Sequence, residues 1–305
     1  MEETYLYSVI VPHFNSNGLI ERLLNSIPNR PDIQVIVVDD CSTQTCIRDI
    51  ANKGDFARVE FVLSDSKVYA GGARNIGIER AKGEYLLFAD SDDYFCATAF
   101  TYFDRYITQD HELVQFGVTS FIEGSGAKGT RHQYLLKQYR LKGLARYLSV
   151  GIPCAKLIKH DLVKRYNIRF NRVIASNDIC FSAKVALLAK SKSAVSSVVY
   201  EVSENAFSLT ATQTPEKSIA RMQEQTKKIQ LIRSLTPWHF WVIYLSRKNT
   251  LGLSYKMINV DKTISINFQA ACRENIRMTP YIAKLIYRIY SVIKSNKQSV
   301  STTPK

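Results

Sequence analysis

The chain has no Cys-x-x-Cys pair, no uninterrupted apolar run of the roughly 18–20 residues needed to span a bilayer, and almost no acidic residues after position 216. Each absence excludes something. The six cysteines, at 41, 46, 96, 154, 180 and 272, have no nearby histidine partners, so neither a zinc site nor a disulfide framework is expected and a reducing cytoplasm fits. Met1-Glu2-Glu3-Thr4 lacks the basic and apolar regions of a signal peptide, and the expectation is a protein neither exported nor integral to a membrane. The histidines at 111, 132, 160 and 239 form no ligand pair or triad and read as surface or core residues.

What is present is a full-sized core and an uneven charge. With 305 residues, 46% of them hydrophobic, the chain can build one large domain and a smaller appendage. Residues 217–305 carry sixteen Lys and Arg against three acids (Glu224, Asp261, Glu274), net +13 of the chain's +14. A nearly neutral front joined to a basic tail points to an anionic partner, nucleic acid or membrane surface. The tail also interleaves Trp238, Trp241, Tyr244, Tyr281 and Tyr287 with Lys and Arg, a mixture suited to a membrane interface or to a packed helical subdomain with a solvated basic face.

The first ninety residues repeat strand, helix, strand. Ser8-Val9-Ile10-Val11 and Gln34-Val35-Ile36-Val37-Val38 read as buried parallel strands, and Leu19, Ile20, Leu23, Leu24 and Ile27 mark a crossover helix between them. Val59–Leu63 and Tyr85-Leu86-Leu87-Phe88-Ala89 repeat the strand pattern around a helical stretch over 72–81. This is a doubly wound α/β sheet, in which ligands sit beyond the carboxyl ends of the strands. Polar clusters follow three of those ends: His13-Phe14-Asn15, Asp39-Asp40-Cys41-Ser42 and Asp90-Ser91-Asp92-Asp93. The pattern loosens beyond residue 110, and a boundary is expected near Pro215, giving domains over 1–214 and 215–305, the last ten or so residues being disordered.

Each cluster has a chemical and a structural reading. Asp90 and Asp92 suit a hard divalent cation shared with substrate phosphates, or are turn residues capping the next helix. Asp39 can accept the imide N–H of a pyrimidine or a ribose hydroxyl, or the Asp39-Asp40 pair caps a helix from Thr45 onward. Gly71-Gly72 open a helix and could seat an anion, but they follow the third strand and do not form G-x-G-x-x-G, so a dinucleotide fold is a weak reading. Arg74 is a cation for base or diphosphate, or a surface helix residue.

The series Ser8-Val-Ile-Val-Pro-His-Phe-Asn15, Val35-Ile-Val-Val-Asp-Asp-Cys-Ser42, Ala73-Arg-Asn-Ile-Gly77 and Lys82-Gly-Glu-Tyr-Leu-Leu-Phe-Ala-Asp-Ser-Asp-Asp-Tyr94 closely resembles the bacterial family 2 glycosyltransferases. The resemblance implies the GT-A fold: a mostly parallel α/β sheet, here followed by a helix-rich basic C-terminal extension. It implies a donor-nucleotide pocket of Pro12, Phe14 near the base, Asn15, Asp39 on the pyrimidine, Arg74, Asp90 and Ser91, with Asp92 the direct ligand of Mn²⁺ or Mg²⁺ and Asp90 beside it. His13 stands where the family often has an apolar or aromatic residue, and Cys41 where it often has Gly. The acceptor half is similar at Lys156–Leu162, Asn167–Phe170 and Ser176-Asn177-Asp178-Ile179-Cys180-Phe181, where Asn177 replaces the usual Glu and Asp178 falls at the catalytic base. Spacing alone also allows Asp178 to be a helix N-cap.

The resulting expectation is an inverting, metal-dependent transfer of a hexose or N-acetylhexosamine from a UDP-sugar or dTDP-sugar to a glycan acceptor. The resemblance implies a lipid-linked acceptor in bacterial surface polysaccharide synthesis. The enzyme is expected to be cytoplasmic, peripheral at the anionic inner face of the membrane, and not bound to nucleic acid. The rivals are a metal-dependent nucleotidyltransferase, which would release pyrophosphate, and a non-enzymatic polyanion-binding protein.

Overall fold

The computed structural model describes residues 4–16, 18–43, 50, 56–130, 141, 143–204 and 214–237. Tyr7–His13 (β1) and Ile33–Asp39 (β2) are buried at every position, the consequence of β-branched strands covered on both faces. Leu19–Asn25 (α1) crosses between them and turns Ile20, Leu23 and Leu24 inward. Val59–Leu63 (β3) extends the sheet beyond β2 as its edge, which is why Leu63 is left exposed. Tyr69–Arg80 (α2) then leads to Tyr85–Phe88 (β4) on the other side of β1. These four strands are parallel, and the chain changes direction around β1.

The second half of the sheet is mixed. Among the described residues it has eight strands in the order β3-β2-β1-β4-β7-β6-β8-β5. Tyr94–Phe95 (β5) lies at the far edge, Leu113–Ile122 (β6) runs parallel to Lys192–Glu204 (β8), and Lys156–Lys159 (β7) is antiparallel to both β4 and β6. Helices Ala99–Ile107 (α3), Leu144–Ser149 (α4), His160–Arg165 (α5) and Ile179–Leu188 (α6) surround it. Pro215–Leu235 (α7) starts with Thr214 as N-cap, its hydroxyl accepting from the Lys217 N–H at 3.2 Å, and packs against α6.

Two glycines explain how tightly the layers close. Gly77 of α2 lies against Ile10 of β1, where a Cβ would collide with that side chain. Gly83 approaches Ser8, whose backbone nitrogen would stand 2.5 Å from an added Cβ. The Trp238–Leu245 and Tyr281–Ile289 stretches, and the tail's last ten residues, lie outside the described residues. Among the described residues no helix is long and apolar enough to cross a membrane.

Candidate active site

β2, β1 and β4 are neighbouring parallel strands, so their carboxyl ends and the polar clusters that follow them lie side by side at one edge of the sheet. At its β1–β2 side, Asp39 and His13 are both buried, with Nδ1 of His13 2.7 Å from Oδ1 of Asp39. Ser42 holds the same carboxylate through its hydroxyl and, at 3.0 Å, its backbone N–H. A carboxylate has about four acceptor positions, so Asp39 is oriented by these donors and retains limited capacity for a ligand. Asn15, in the left-handed region at φ 49°, joins the two loops: its N–H donates to Ser42 Oγ and its side-chain carbonyl accepts from the Thr43 N–H, both at 2.9 Å.

Asp40 serves another purpose. Its Oδ1 accepts the N–H of Val68, the N-cap residue of α2, at 2.6 Å, and its Oδ2 pairs with Lys67 at 3.1 Å. The Lys67 ammonium lies 2.8 Å from the centroid of the Phe14 ring, which is 40% exposed, so one face of that ring is already covered by a cation. Pro12 is buried within β1, and Ser91 meets Ser16 hydroxyl to hydroxyl at 2.5 Å. The helix expected from Thr45 falls on residues outside the described set.

Gly71 and Gly72 are where other parts of the chain come close to α2. Both lie inside the first turn of α2, and the space a Cβ would take at Gly71 is filled by the Asn171 backbone carbonyl, at Gly72 by Val68. The glycines let the loop after α5 approach the helix. Asn75 clamps that loop from the same helix, donating to Phe170 O and accepting from Phe170 N, each at 2.9 Å.

Arg74 projects from the next turn and is not a surface residue; it is 4% exposed. It pairs with Asp90 through Nη2 and donates to Asn177 Oδ1 through Nη1 at 2.8 Å. Burial works against its charge, but the neighbouring Asp90 and Asp178 carboxylates more than offset that. A single guanidinium therefore ties Asp90 to the segment bearing Asp178.

Asp178 occupies the N-cap position of α6, yet its side chain makes no capping hydrogen bond. Its carboxyl is raised above the usual range by desolvation, against the pull of Arg74. Behind it, Lys156 of β7 is buried, donates to Val150 O at 2.9 Å, and is pushed down to about 7 by burial.

The Asp90–Asp93 run caps no helix: β5 follows it, and α3 begins after Thr98. Asp90 keeps a side chain 41% exposed. Asp92 is raised to about 6, first by desolvation and then by the neighbouring Asp90 charge. Arg22 approaches only the Asp92 carbonyl, at 2.5 Å, while its fork grips Glu123 at 2.9 and 3.0 Å. Asp93 is buried, accepts from Ser203 N at 2.8 Å, and is raised well above its usual range by desolvation and by Asp92 and Asp90. Tyr200 OH in turn accepts the Asp90 N–H at 2.8 Å.

These residues fit a hard divalent cation. Asp92 and Asp90 crowd negative charge at this edge of the sheet, and no basic side chain reaches the Asp92 carboxylate among the described residues. Ligand atoms of Asp90, Asp93 and Cys154 also lie within 4.8 Å of one another. Asp93, however, is engaged by β8, and burial pushes the Cys154 thiol up, which disfavours the thiolate a metal would take. Asp90, which is 41% exposed and gives one oxygen to Arg74, and the neighbouring Asp92 are the oxygen donors this loop offers a cation.

The raised Asp92 carboxyl has a consequence for stability. Because its folded-state pKa lies above the unfolded value, its ionisation weakens the fold as pH rises from about 4 to about 6, and the deficit persists above that window. Without metal at pH 7.5, Asp92→Asn should raise Tm by about 2–4 °C, for about 1 kcal/mol after solvent screening. The gain should vanish below pH 4. Calorimetry at both pH values checks it, and an equal gain at low pH would refute the cause.

Residues 8–166, just over half the chain, match the profile of Glycosyl transferase family 2. The chain belongs to that family. Among curated relatives, the poly(ribitol-phosphate) β-glucosyltransferase of Bacillus spizizenii is 30% identical over 191 residues, covering 60% of this chain and 30% of that protein. The poly(ribitol-phosphate) β-N-acetylglucosaminyltransferase TarS of Staphylococcus aureus is 28% identical over 202 residues, covering 64% and 35%. The chain thus spans about a third of the length of these relatives. The crystal structure of residues 1–349 of S. aureus TarS with UDP-GlcNAc superposes with a TM-score of 0.71 at 22% identity, over 90% of this chain and 81% of that fragment, which establishes the shared GT-A fold.

Several residues in this family member carry no motif signal. Tyr200 and Ser203 reach the acidic loop from β8, whose Lys192–Glu204 run has no strong apolar pattern. Lys156 stands in a recognisable motif, but nothing in the sequence marks it as buried. Arg22 and Glu123 are 101 positions apart, and only the fold brings them together.

Proposed function

We propose that the chain is an inverting glycosyltransferase that takes a hexose or N-acetylhexosamine from a UDP-sugar, or a dTDP-sugar, to a glycan acceptor. The observation that carries this reading is Arg74, which holds Asp90 at the donor end and Asn177 beside Asp178 at the acceptor end in one crevice. Asp39, Phe14, Asn15, Pro12 and Ser91 line the nucleotide end in this reading. The acceptor hydroxyl oxygen attacks the anomeric carbon, its proton passes to the Asp178 carboxylate, and the bond to the nucleoside diphosphate breaks on the opposite face. Desolvation that raises Asp178 increases its proton affinity, as a base requires. Asp92 and Asp90 would hold Mn²⁺ or Mg²⁺, which would supply positive charge against the departing diphosphate.

The acceptor is proposed to be a lipid-linked or phosphate-bearing glycan of the bacterial cell surface. Both relatives are named for poly(ribitol-phosphate), a polyanion, and the +13 segment over 217–305 suits an anionic acceptor or membrane face. On this reading residues 215–305 hold the enzyme at the inner membrane surface. The full chain should then sediment with anionic liposomes at low salt and be released at high salt, as screening shortens the attraction. Retention in the supernatant at low salt removes the membrane role.

The test of the function is a donor screen that reads released nucleoside diphosphate, with Mg²⁺, Mn²⁺ and chelator arms. UDP or dTDP release that depends on acceptor supports the reading. Pyrophosphate release would make the protein a nucleotidyltransferase instead.

A further inference from the structure

Helix α7, the last helix among the described residues, buries a mixed stripe at four-residue spacing: Ala220, Glu224, Lys228 and Ile232. Burying a carboxylate costs several kcal/mol unless it is fully partnered, so Glu224, at 0% exposure, needs a reason to be there. Its Oε2 accepts the Asn171 side-chain amide at 2.5 Å and its Oε1 pairs with Lys227 at 2.7 Å. Its backbone carbonyl accepts from the Cys180 thiol of α6 at 3.5 Å.

Asn171 begins the loop that ends at Asp178. Its N–H donates to Asn177 O at 3.4 Å, closing the loop on itself, and its carbonyl fills the space beside Gly71. Asn177 then receives Arg74, and Arg74 holds Asp90. A continuous chain of polar contacts therefore runs from α7 through Glu224, Asn171 and Asn177 to Arg74 and the donor-side acid. Lys228, one turn beyond Glu224, adds a second tie by donating to Leu148 O at 2.9 Å, next to the Val150 carbonyl that holds Lys156.

We propose that Glu224 is a positioning residue: through Asn171 it fixes the 171–177 loop and so sets Asp178 and Asn177 against Arg74. The inference rests on the transferase reading given above, and it makes α7 part of the catalytic apparatus rather than only a link to the basic tail. Glu224 touches no reacting atom. Its effect is on placement, and a displacement of about 1 Å at a reacting group can cost on the order of 10²-fold in rate.

The test uses the full chain with Glu224→Met, which keeps the length of the side chain and removes both acceptor oxygens, and Asn171→Ala, which removes the whole side-chain amide. Each should lower kcat for sugar transfer at least tenfold while UDP binding, by calorimetry, stays within about twofold. The double variant should be no slower than the slower single, because the two residues act through one contact. Hydrogen exchange of the 171–178 amides should rise at least tenfold in both variants, with β1 and β2 unaffected. Unchanged loop exchange, unchanged kcat in an active parent, or parallel loss of UDP binding overturns the proposal. A parent that transfers no sugar from any donor would sink the transferase reading instead, and loop exchange would still decide whether Glu224 positions the loop.

Discussion

Asp92→Asn or Asp92→Ala is expected to lower sugar transfer by about 10²–10³-fold or more while the protein stays folded, the range seen when one preorganised electrostatic contact is removed. The fold should survive because Arg22 grips the Asp92 main-chain carbonyl and the Glu123 side chain, neither of which the substitution removes. Activity should not survive, because Asp92 and Asp90 are the oxygen donors left for a cation once Asp93 and the Cys154 thiol are set aside. The same variant gives a readout that does not depend on turnover: Mn²⁺ binding, followed by calorimetry or electron spin resonance, should weaken at least tenfold. In the parent that binding should also weaken as pH falls through about 6, where proton and cation compete for the raised carboxylate. An active Asp92 variant together with full activity in EDTA would remove the metal from this reading.

The donor half was legible in sequence because its strands are simple. β1, β2 and β4 are short apolar runs buried at every position, each ending in polar residues, and the parallel-sheet rule places those ends together. The two longest strands were not legible. β6 is interrupted at Gly117, where the register with β8 shifts, and β8 alternates Ser, Val and Glu with only partial burial. Their pairing joins residues about 80 positions apart, and no local pattern reports it.

The site divides along the same line. His13, Asp39 and Asn15 could be placed at strand ends, but the sequence did not reveal that His13 and Ser42 would already hold the Asp39 carboxylate. Arg74 was ambiguous because a helical arginine is usually solvated; its burial follows from Asn171 closing over Gly71, a contact between segments 100 positions apart. The basic segment shows the clearest limit. Composition marks it as a tail, while α7 in fact turns a charged stripe inward, and a buried Glu224 looks the same in sequence as an exposed one.

Asp178→Asn is the second large effect expected: turnover falls by about 10²-fold or more, while donor affinity changes little. The isosteric amide keeps the shape of the N-cap position, and since Asp178 makes no capping hydrogen bond there is no cap energy to lose. Arg74 remains paired with Asp90 and Asn177, so the donor end of the crevice should keep its geometry. What disappears is the one ability the amide lacks, accepting the acceptor's proton. The pH profile separates this from a packing defect. In the parent, kcat/KM should rise through an apparent pKa above the ordinary aspartate value, because desolvation outweighs the attraction of Arg74 and Lys156. That limb should be missing from the residual activity of the variant. Lys156, itself pushed down to about 7, sits behind the same carboxylate, so Lys156→Met should move the limb to higher pH by removing a favourable charge. If Asp178→Asn turns over near the parental rate with its acid limb intact, the base lies elsewhere in the crevice and the acceptor half of this assignment fails.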